Sequence, residues 1–182
     1  ILINNGGDGL TRYYSCMELL SLVYPNYNWD KSKFNHNKTE RIIKDFLLKN
    51  KSNFQITNDK IDEYCPTWFE ERYRYDFYIE LVNGKKIIIE CDGEQHYTQH
   101  FHHRDGWTLK KQQDRDRYKM QKALENDVSI IRILQEEVWN DTIDWKKELT
   151  DAINEIKNEN EVTIKLLGSL KDKIPWDVVD SE

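Results

Sequence analysis

The chain has 182 residues, 33% of them charged, with a formal net charge of −6. That length suits one domain of ordinary size plus a small appendage. No apolar run approaches the roughly 20 residues of a membrane-spanning helix, and a negative net charge argues against a general nucleic-acid binder.

The charge is unevenly spread. Between residues 104 and 122, Arg104, Lys110, Lys111, Arg115, Arg117, Lys119 and Lys122 outnumber Asp105, Asp114 and Asp116, while Asp and Glu dominate residues 136–182. A local basic stretch of this kind can hold phosphates or be a solvated helix face. The chain begins at Ile1 rather than Met, which reads as a fragment or a processed product, and no secretory signal is visible. Cys16, Cys65 and Cys91 are widely spaced with no Cys-x-x-Cys. The expectation is an intracellular, reducing compartment with no thiolate zinc site.

Residues 1–10 are rich in Gly and Asn and read as loose. Residues 12–24 read as a helix with Tyr13, Met17 and Leu20 on one face, stopped by Pro25. Tyr27, Trp29 and Phe34 follow, dotted with Lys31 and Lys33. Such a segment can stack on bases and hold phosphates or form a small aromatic core. A second helix is expected over 38–50, with Ile42, Ile43, Phe46 and Leu47 as its buried stripe. Glu40 sits in its first turn, where a negative charge favours the helix dipole. Residues 54–57 read as a short strand, and Pro66 and Trp68 mark a loop.

Residues 75–92 carry the strongest local signal. Asn83-Gly84 is a turn dipeptide flanked by aromatic and β-branched residues, which predicts a β-hairpin. Asp76 lies in its first strand, and Glu90 and Asp92 end the second after Ile87, Ile88 and Ile89. Carboxylates beside a buried strand are costly unless paired or metal-bound. A two-residue loop would pair Asp76 with Cys91. A three-residue loop, Val82 to Gly84 with Gly84 left-handed, pairs Asp76 with Glu90 and Tyr78 with Ile88. It also sets Tyr75, Phe77, Ile79 and Leu81 on the face of Ile87, Ile89 and Cys91. Only this second register separates an apolar face from an acidic one, so it is the expected one. Opposed residues then hold two carboxylates about 5 Å apart at Cβ, which suits one shared divalent cation.

Residues 97–107 read as a polar loop containing His100, His102 and His103. A helix is expected over 108–126, with Met120, Ala123 and Leu124 inward and Asp116 and Lys119 at the border of that face. Residues 128–134 read as a buried strand and 142–158 as a helix with Trp145, Leu149, Ile153 and Ile156 inward. Residues 161–167 read as a last strand, and the tail from Gly168 as irregular. Strand, helix and strand in succession imply a parallel pair. The expected class is therefore α/β (α+β), a small mixed central sheet flanked by helices.

The stretch from Tyr75 to Arg132 resembles the PD-(D/E)XK nuclease superfamily, in particular its branch of very-short-patch repair endonucleases and phage or homing-type enzymes. The matching residues are Tyr75-Asp-Phe-Tyr78, Ile88-Ile-Glu-Cys-Asp-Gly-Glu-Gln-His-Tyr97, Asp116-Arg-Tyr-Lys119 and Ile130-Ile-Arg-Ile133. The resemblance implies a restriction-endonuclease-like fold over residues 37–167, with 1–36 as an N-terminal segment and 168–182 as a tail. It implies that Asp76 and Glu90 ligate Mg²⁺ (or Mn²⁺), with Asp92 and His96 lining the same site. It further implies that Asp116 and Lys119 approach from the next helix, and more loosely that Glu40 joins them. Where the family often has lysine, two residues after Glu90, this chain has Asp92. Lys119 is the expected replacement.

The expected activity is Mg²⁺-dependent endonucleolytic cleavage of phosphodiesters, in DNA more than RNA. Asp76 and Glu90 are expected as ligands, with Asp92 as a third ligand or a supporting group. His96 is the candidate general base, Lys119 polarises the water or holds the phosphate, and Gln95 orients a water. Arg132 is expected to pair with an acid. Lys31, Lys33, Arg104, Lys110, Lys111 and Arg115 are the candidate nucleic-acid contacts. Two other readings fit parts of the same sequence. One is a zinc-binding module on His96, His100, His102 and His103. The other is a catalytically inactive nuclease fold used for binding.

Overall fold

The computed structural model describes residues 22–25, 38–69, 73–98 and 108–173. The chain divides into two units, Ile1–Lys38 and Thr39–Glu182. The expected helix over 12–24 and the aromatic-lysine segment lie almost wholly outside the described residues.

The hairpin adopts the three-residue loop. Strands β1 (Phe77–Glu80) and β2 (Lys86–Asp92) pair antiparallel with Phe77 opposite Ile89 and Tyr78 opposite Ile88. Gly84 has φ +83°, a conformation open to glycine at little cost. Its N–H donates to Leu81 O at 2.8 Å, and Leu81 N–H donates to Lys85 O at 2.8 Å. Phe77, Ile79, Leu81, Ile87, Ile89 and Cys91 share one core as the register requires.

Tyr75 departs from the expected face. Its backbone leaves the hairpin ladder at Asp76 and exchanges hydrogen bonds with Tyr64 instead, at 2.8 and 2.9 Å. The bend turns its side chain to the opposite core, among Ile88, Met120 and Ile130.

Helix α1 (Lys38–Lys49) carries the expected stripe, with Ile43 and Leu47 fully buried and Ile42 and Phe46 packed beside them. The short strand expected over 54–57 is instead a helical turn, α2 (Lys51–Phe54), followed by one isolated bridge from Ile56 to Leu81. The next residues guard the free edge of β1. Thr57 N–H donates to Glu80 O at 2.7 Å. Asn58 accepts from Glu80 N–H at 2.9 Å and donates to Tyr78 O at 3.0 Å. Side-chain amide groups thus occupy edge positions that would otherwise invite another strand.

A 3₁₀ turn, Glu94–His96, follows β2. Helix α3 (Leu109–Glu125) is capped by Thr108, whose hydroxyl accepts from Lys111 N–H at 3.2 Å, as Thr does at helix starts. A left-handed Asp127 (φ +58°) turns the chain into β3 (Val128–Leu134). Every residue of β3 is buried, as expected of a strand covered on both faces. It pairs parallel with β2, Glu90 beside Arg132. Two helices follow: α4 (Gln135–Asn140), which sequence periodicity does not reveal, and α5 (Trp145–Asn158). Strand β4 (Ile164–Leu166) adds parallel to β3. The tail is not irregular at its start: α6 (Leu170–Lys173) buries Leu170 completely.

The result is a four-stranded mixed sheet in the order β1-β2-β3-β4, flanked by helices in a small α/β fold. The larger core lies between one sheet face and α1 with α5, and includes Ile87, Ile89, Ile131, Ile133, Leu149 and Ile153. The smaller lies under α3, where Ile88 and Ile130 meet Met120 and Ala123. Each fully buried isoleucine stabilises the fold by roughly 1.5–3 kcal/mol relative to an exposed one. The alternation along β2 therefore fixes which way Glu90 and Asp92 face, which is the α3 side. No described helix is long and apolar enough to cross a membrane.

Candidate active site

Asp76 stands one residue before β1, opposite Glu90 in the extended register. Alternate pairs in this hairpin exchange backbone hydrogen bonds, so Cys91 N–H would ordinarily find Tyr75 O. Tyr75 has turned away to Tyr64, and Asp76 Oδ2 accepts the Cys91 N–H instead, at 2.6 Å. The same bend that displaces Tyr75 thus locks the Asp76 carboxylate beside β2.

Burial pushes Asp76 up to about 6, the Glu40 and Asp92 charges add to this, and the Cys91 amide and Lys119 oppose it. Burial likewise pushes Glu90 up to about 7, with Asp76 and Asp92 adding and Lys119 opposing. Asp76, Glu90 and Asp92 thus stand at one end of the hairpin, with Lys119 against Glu90 and the Glu40 charge felt at Asp76. Lys119 Nζ forms an ion pair with Glu90 Oε1, their side chains 14% and 13% exposed, and lies 4.6 Å from the centre of the Tyr75 ring. The Tyr75 hydroxyl donates to Lys119 O at 2.7 Å, which fixes this turn of α3 against the sheet.

Asp92, expected as a third ligand or a supporting group, is held by Arg132. Arg132 Nε donates to its Oδ2 and Nη2 to its Oδ1, both at 2.8 Å, and the Tyr97 hydroxyl donates to Oδ2. Arg132 and Asp92 side chains are 3% and 2% exposed. A buried guanidinium needs such a bidentate partner, so Asp92 anchors Arg132 at the end of β2. The expected pairing of Arg132 with an acid is this one.

Arg132 also approaches Asp116, Nη2 to Oδ2 at 3.4 Å, and Asp116 meets His96, Oδ2 to Nδ1 at 2.6 Å. Burial alone would raise Asp116, but the His96 hydrogen bond and the Arg132 and Lys119 charges outweigh it and hold it below the ordinary carboxylate range. The structure therefore joins the acid cluster to a histidine–aspartate pair through one arginine. Behind Lys119 lies a cavity of about 10 Å³, bordered by Glu90, Asp116, Lys119 and Arg132. That is about the volume needed for one water.

Among the described residues no group of three or more His, Cys, Asp or Glu side chains converges to hold a metal ion. Asp76 and Glu90 stand opposite each other in the extended register, Glu90 within the field of Asp76, and Glu90 Oε1 is buried against the Lys119 ammonium. Magnesium keeps several waters and needs only one or two protein carboxylates. The Asp76–Glu90 pair fits that demand.

The remaining site candidates are dispersed. Lys110 pairs with Asp114 at 2.8 Å on the outer face of α3, and Lys111 is exposed. Arg115, also exposed, turns back to donate to Gln112 Oε1. Lys31, Lys33, Arg104, His100, His102 and His103 and the Gln95 side chain lie outside what is described. Sequence reasoning did not single out Gln112, and it gave Tyr75 and Tyr97, though both lie in the matched motifs, no part in the site. The i, i+4 spacing of Gln112 and Asp116 was a signal that could have found the first.

Cys91 is buried beside the acids, and burial together with Asp76 and Glu90 raises its thiol well above the usual value, so it is not an activated nucleophile. No family model, curated protein or solved structure matches the chain.

Proposed function

We propose that this protein is a metal-dependent endonuclease hydrolysing phosphodiester bonds, in DNA more than RNA, with the PD-(D/E)XK resemblance as its lineage. The observation that carries the reading is the Asp76–Glu90 pair. Two carboxylates are driven to one end of a buried sheet, both held above their ordinary range, with a lysine against one of them. A purely structural pair of this kind destabilises the fold at neutral pH, and a divalent cation would relieve it.

Asp76 and Glu90 would hold magnesium, which when bound supplies charge stabilisation at the leaving oxygen and an acidified water. Lys119, already within reach of Glu90, turns its ammonium to a phosphate oxygen. His96 accepts a proton from the attacking water, and Asp116 at 2.6 Å orients the ring and stabilises the imidazolium. The Asp92–Arg132 clamp keeps the end of β2 fixed while these groups act. Exposed Lys111 and Arg115 on α3 suit contacts to the backbone of the nucleic acid. The free cysteines Cys65 and Cys91 suit a reducing, intracellular compartment.

The test is nicking of supercoiled plasmid and of single-stranded RNA with Mg²⁺, with Mn²⁺ and with EDTA. The parent is compared with Asp76→Asn. Metal-dependent nicking lost in the variant supports the reading, whereas equal inactivity of both on every substrate sinks it. One observation favours a second reading, a nuclease fold that binds without cutting: Asp92 is committed to Arg132 and no three-ligand group forms among the described residues. Tight binding of nucleic acid without cleavage by the parent would select it.

A further inference from the structure

Gln112 is a polar residue with no evident reason to be buried, yet it is 4% exposed. It sits one turn before Asp116 on α3. Its Nε2 lies 3.2 and 3.4 Å from the two Asp116 oxygens and 3.0 Å from His96 Nδ1. Its Oε1 accepts from Arg115 Nη2.

The contacts to Asp116 and Arg115 outnumber the one they oppose, in which Gln112 Nε2 and His96 Nδ1 lie side by side as two donors converging on Asp116. An amide nitrogen only donates, and an ionised carboxylate only accepts. Were Nδ1 bare, its lone pair would face the Asp116 carboxylate across 2.6 Å, acceptor against acceptor. Nδ1 therefore carries a hydrogen and donates it to Asp116, and Gln112 Nε2 donates to the same carboxylate. A flipped amide would turn Oε1 against Asp116 and its nitrogen against Arg115, two mismatches at once. Arg115 thus fixes which way round Gln112 lies. The lone pair of His96 is left on Nε2, directed away from the pair. An Asp116 held only by His96 could swing about its χ angles, whereas one held also by Gln112 and Arg132 cannot.

We infer that Gln112 is a positioning residue: by holding Asp116 it keeps His96 in the Nδ1–H tautomer with Nε2 as the basic nitrogen. This deepens the hydrolysis reading and rests on it for the role of His96. For histidines that ligate metals, partners on the other ring nitrogen are typically worth about 10- to 100-fold, and the same order is expected of a histidine that moves a proton.

The experiment is long-range ¹H–¹⁵N NMR of the His96 ring in the full chain above its titration range. It uses the parent, Gln112→Leu and Arg115→Ala, with nicking kinetics alongside. The parent should show the Nδ1–H tautomer. Gln112→Leu should show a mixture of tautomers and a kcat lowered about tenfold with KM within twofold. Arg115→Ala, at an exposed position that leaves the core intact, should show a smaller shift of the same sign if Gln112→Leu proves too unstable to study. An Nε2–H tautomer in the parent overturns the inference, as does an unchanged tautomer in both variants. The spectrum decides the inference even where no substrate is cut. Failure of the hydrolysis reading would appear in the nicking assay alone.

Discussion

Replacing Asp76 by Asn should make the metal-free protein more stable at pH 8. The Asp76 carboxyl is held at about 6 against an ordinary 3.8, first by burial and then by the Glu40 charge. The unfolded chain releases this proton near pH 4, while the folded chain keeps it until near pH 6. Stability from the group is therefore fully present below the unfolded value and is lost as pH rises through the folded one. Roughly two units at about 1.4 kcal/mol each give a loss on the order of 3 kcal/mol between pH 4 and pH 7. Asn keeps an oxygen for the Cys91 amide and removes the charge. Urea unfolding in EDTA, followed by tryptophan fluorescence from pH 4.5 to 8, measures the difference between the two proteins, so titrations common to both cancel. Asp76→Asn should be within about 1 kcal/mol of the parent at pH 4.5 and about 2 kcal/mol more stable at pH 8. Neutralising Asp76 also removes its unfavourable field on Glu90, so about 2 kcal/mol is the least difference expected. A variant less stable than the parent at pH 8 would mean that the Asp76 charge is net stabilising, through Lys119, and would refute this account of the cluster.

Magnesium at pH 8 should raise the parent's melting temperature with a concentration dependence set by its affinity and leave Asp76→Asn unmoved; equal shifts in both place the ion elsewhere. Arg132→Leu should cost about 3–5 kcal/mol in urea unfolding by orphaning the buried Asp92, with the Asp92→Leu, Arg132→Leu double variant recovering much of it. A loss under 1 kcal/mol would deny the clamp its importance. Gly84→Ala should lose about 1 kcal/mol from the left-handed turn position, where nothing crowds a new Cβ, so strain alone is measured. Lys119→Met should lower nicking about 100-fold, as loss of a charge-stabilising donor does, with a circular dichroism spectrum like the parent's. Lys110→Gln with Lys111→Gln should flatten the salt dependence of DNA binding by about 0.9 for each phosphate left without its lysine. An unchanged slope in fluorescence anisotropy would remove α3 from the interface.

Local and short-range rules made much of this fold legible. Asn83-Gly84 fixed the turn, and the period-two alternation of Ile87, Ile89 and Cys91 against Ile88 and Glu90 chose the register. The unbroken apolar run of 128–134 marked a central strand, and the stripes of α1 and α5 marked their buried faces. These are properties of a few adjacent residues, so sequence displays them directly. Three things depended on partners distant along the chain. Tyr75 changed faces because Tyr64 offered its backbone a different partner. Asp92 pairs with Arg132, far along the chain and equally buried, because that guanidinium had to be neutralised. Gln112 became part of the site because α3 crosses the sheet at the height of His96. Sequence determined which residues are acidic, apolar or turn-forming. Only the folded chain decided which acid faces a lysine, which faces an arginine and which faces a histidine, because a buried charge must answer to whatever partner packing brings within hydrogen-bond reach.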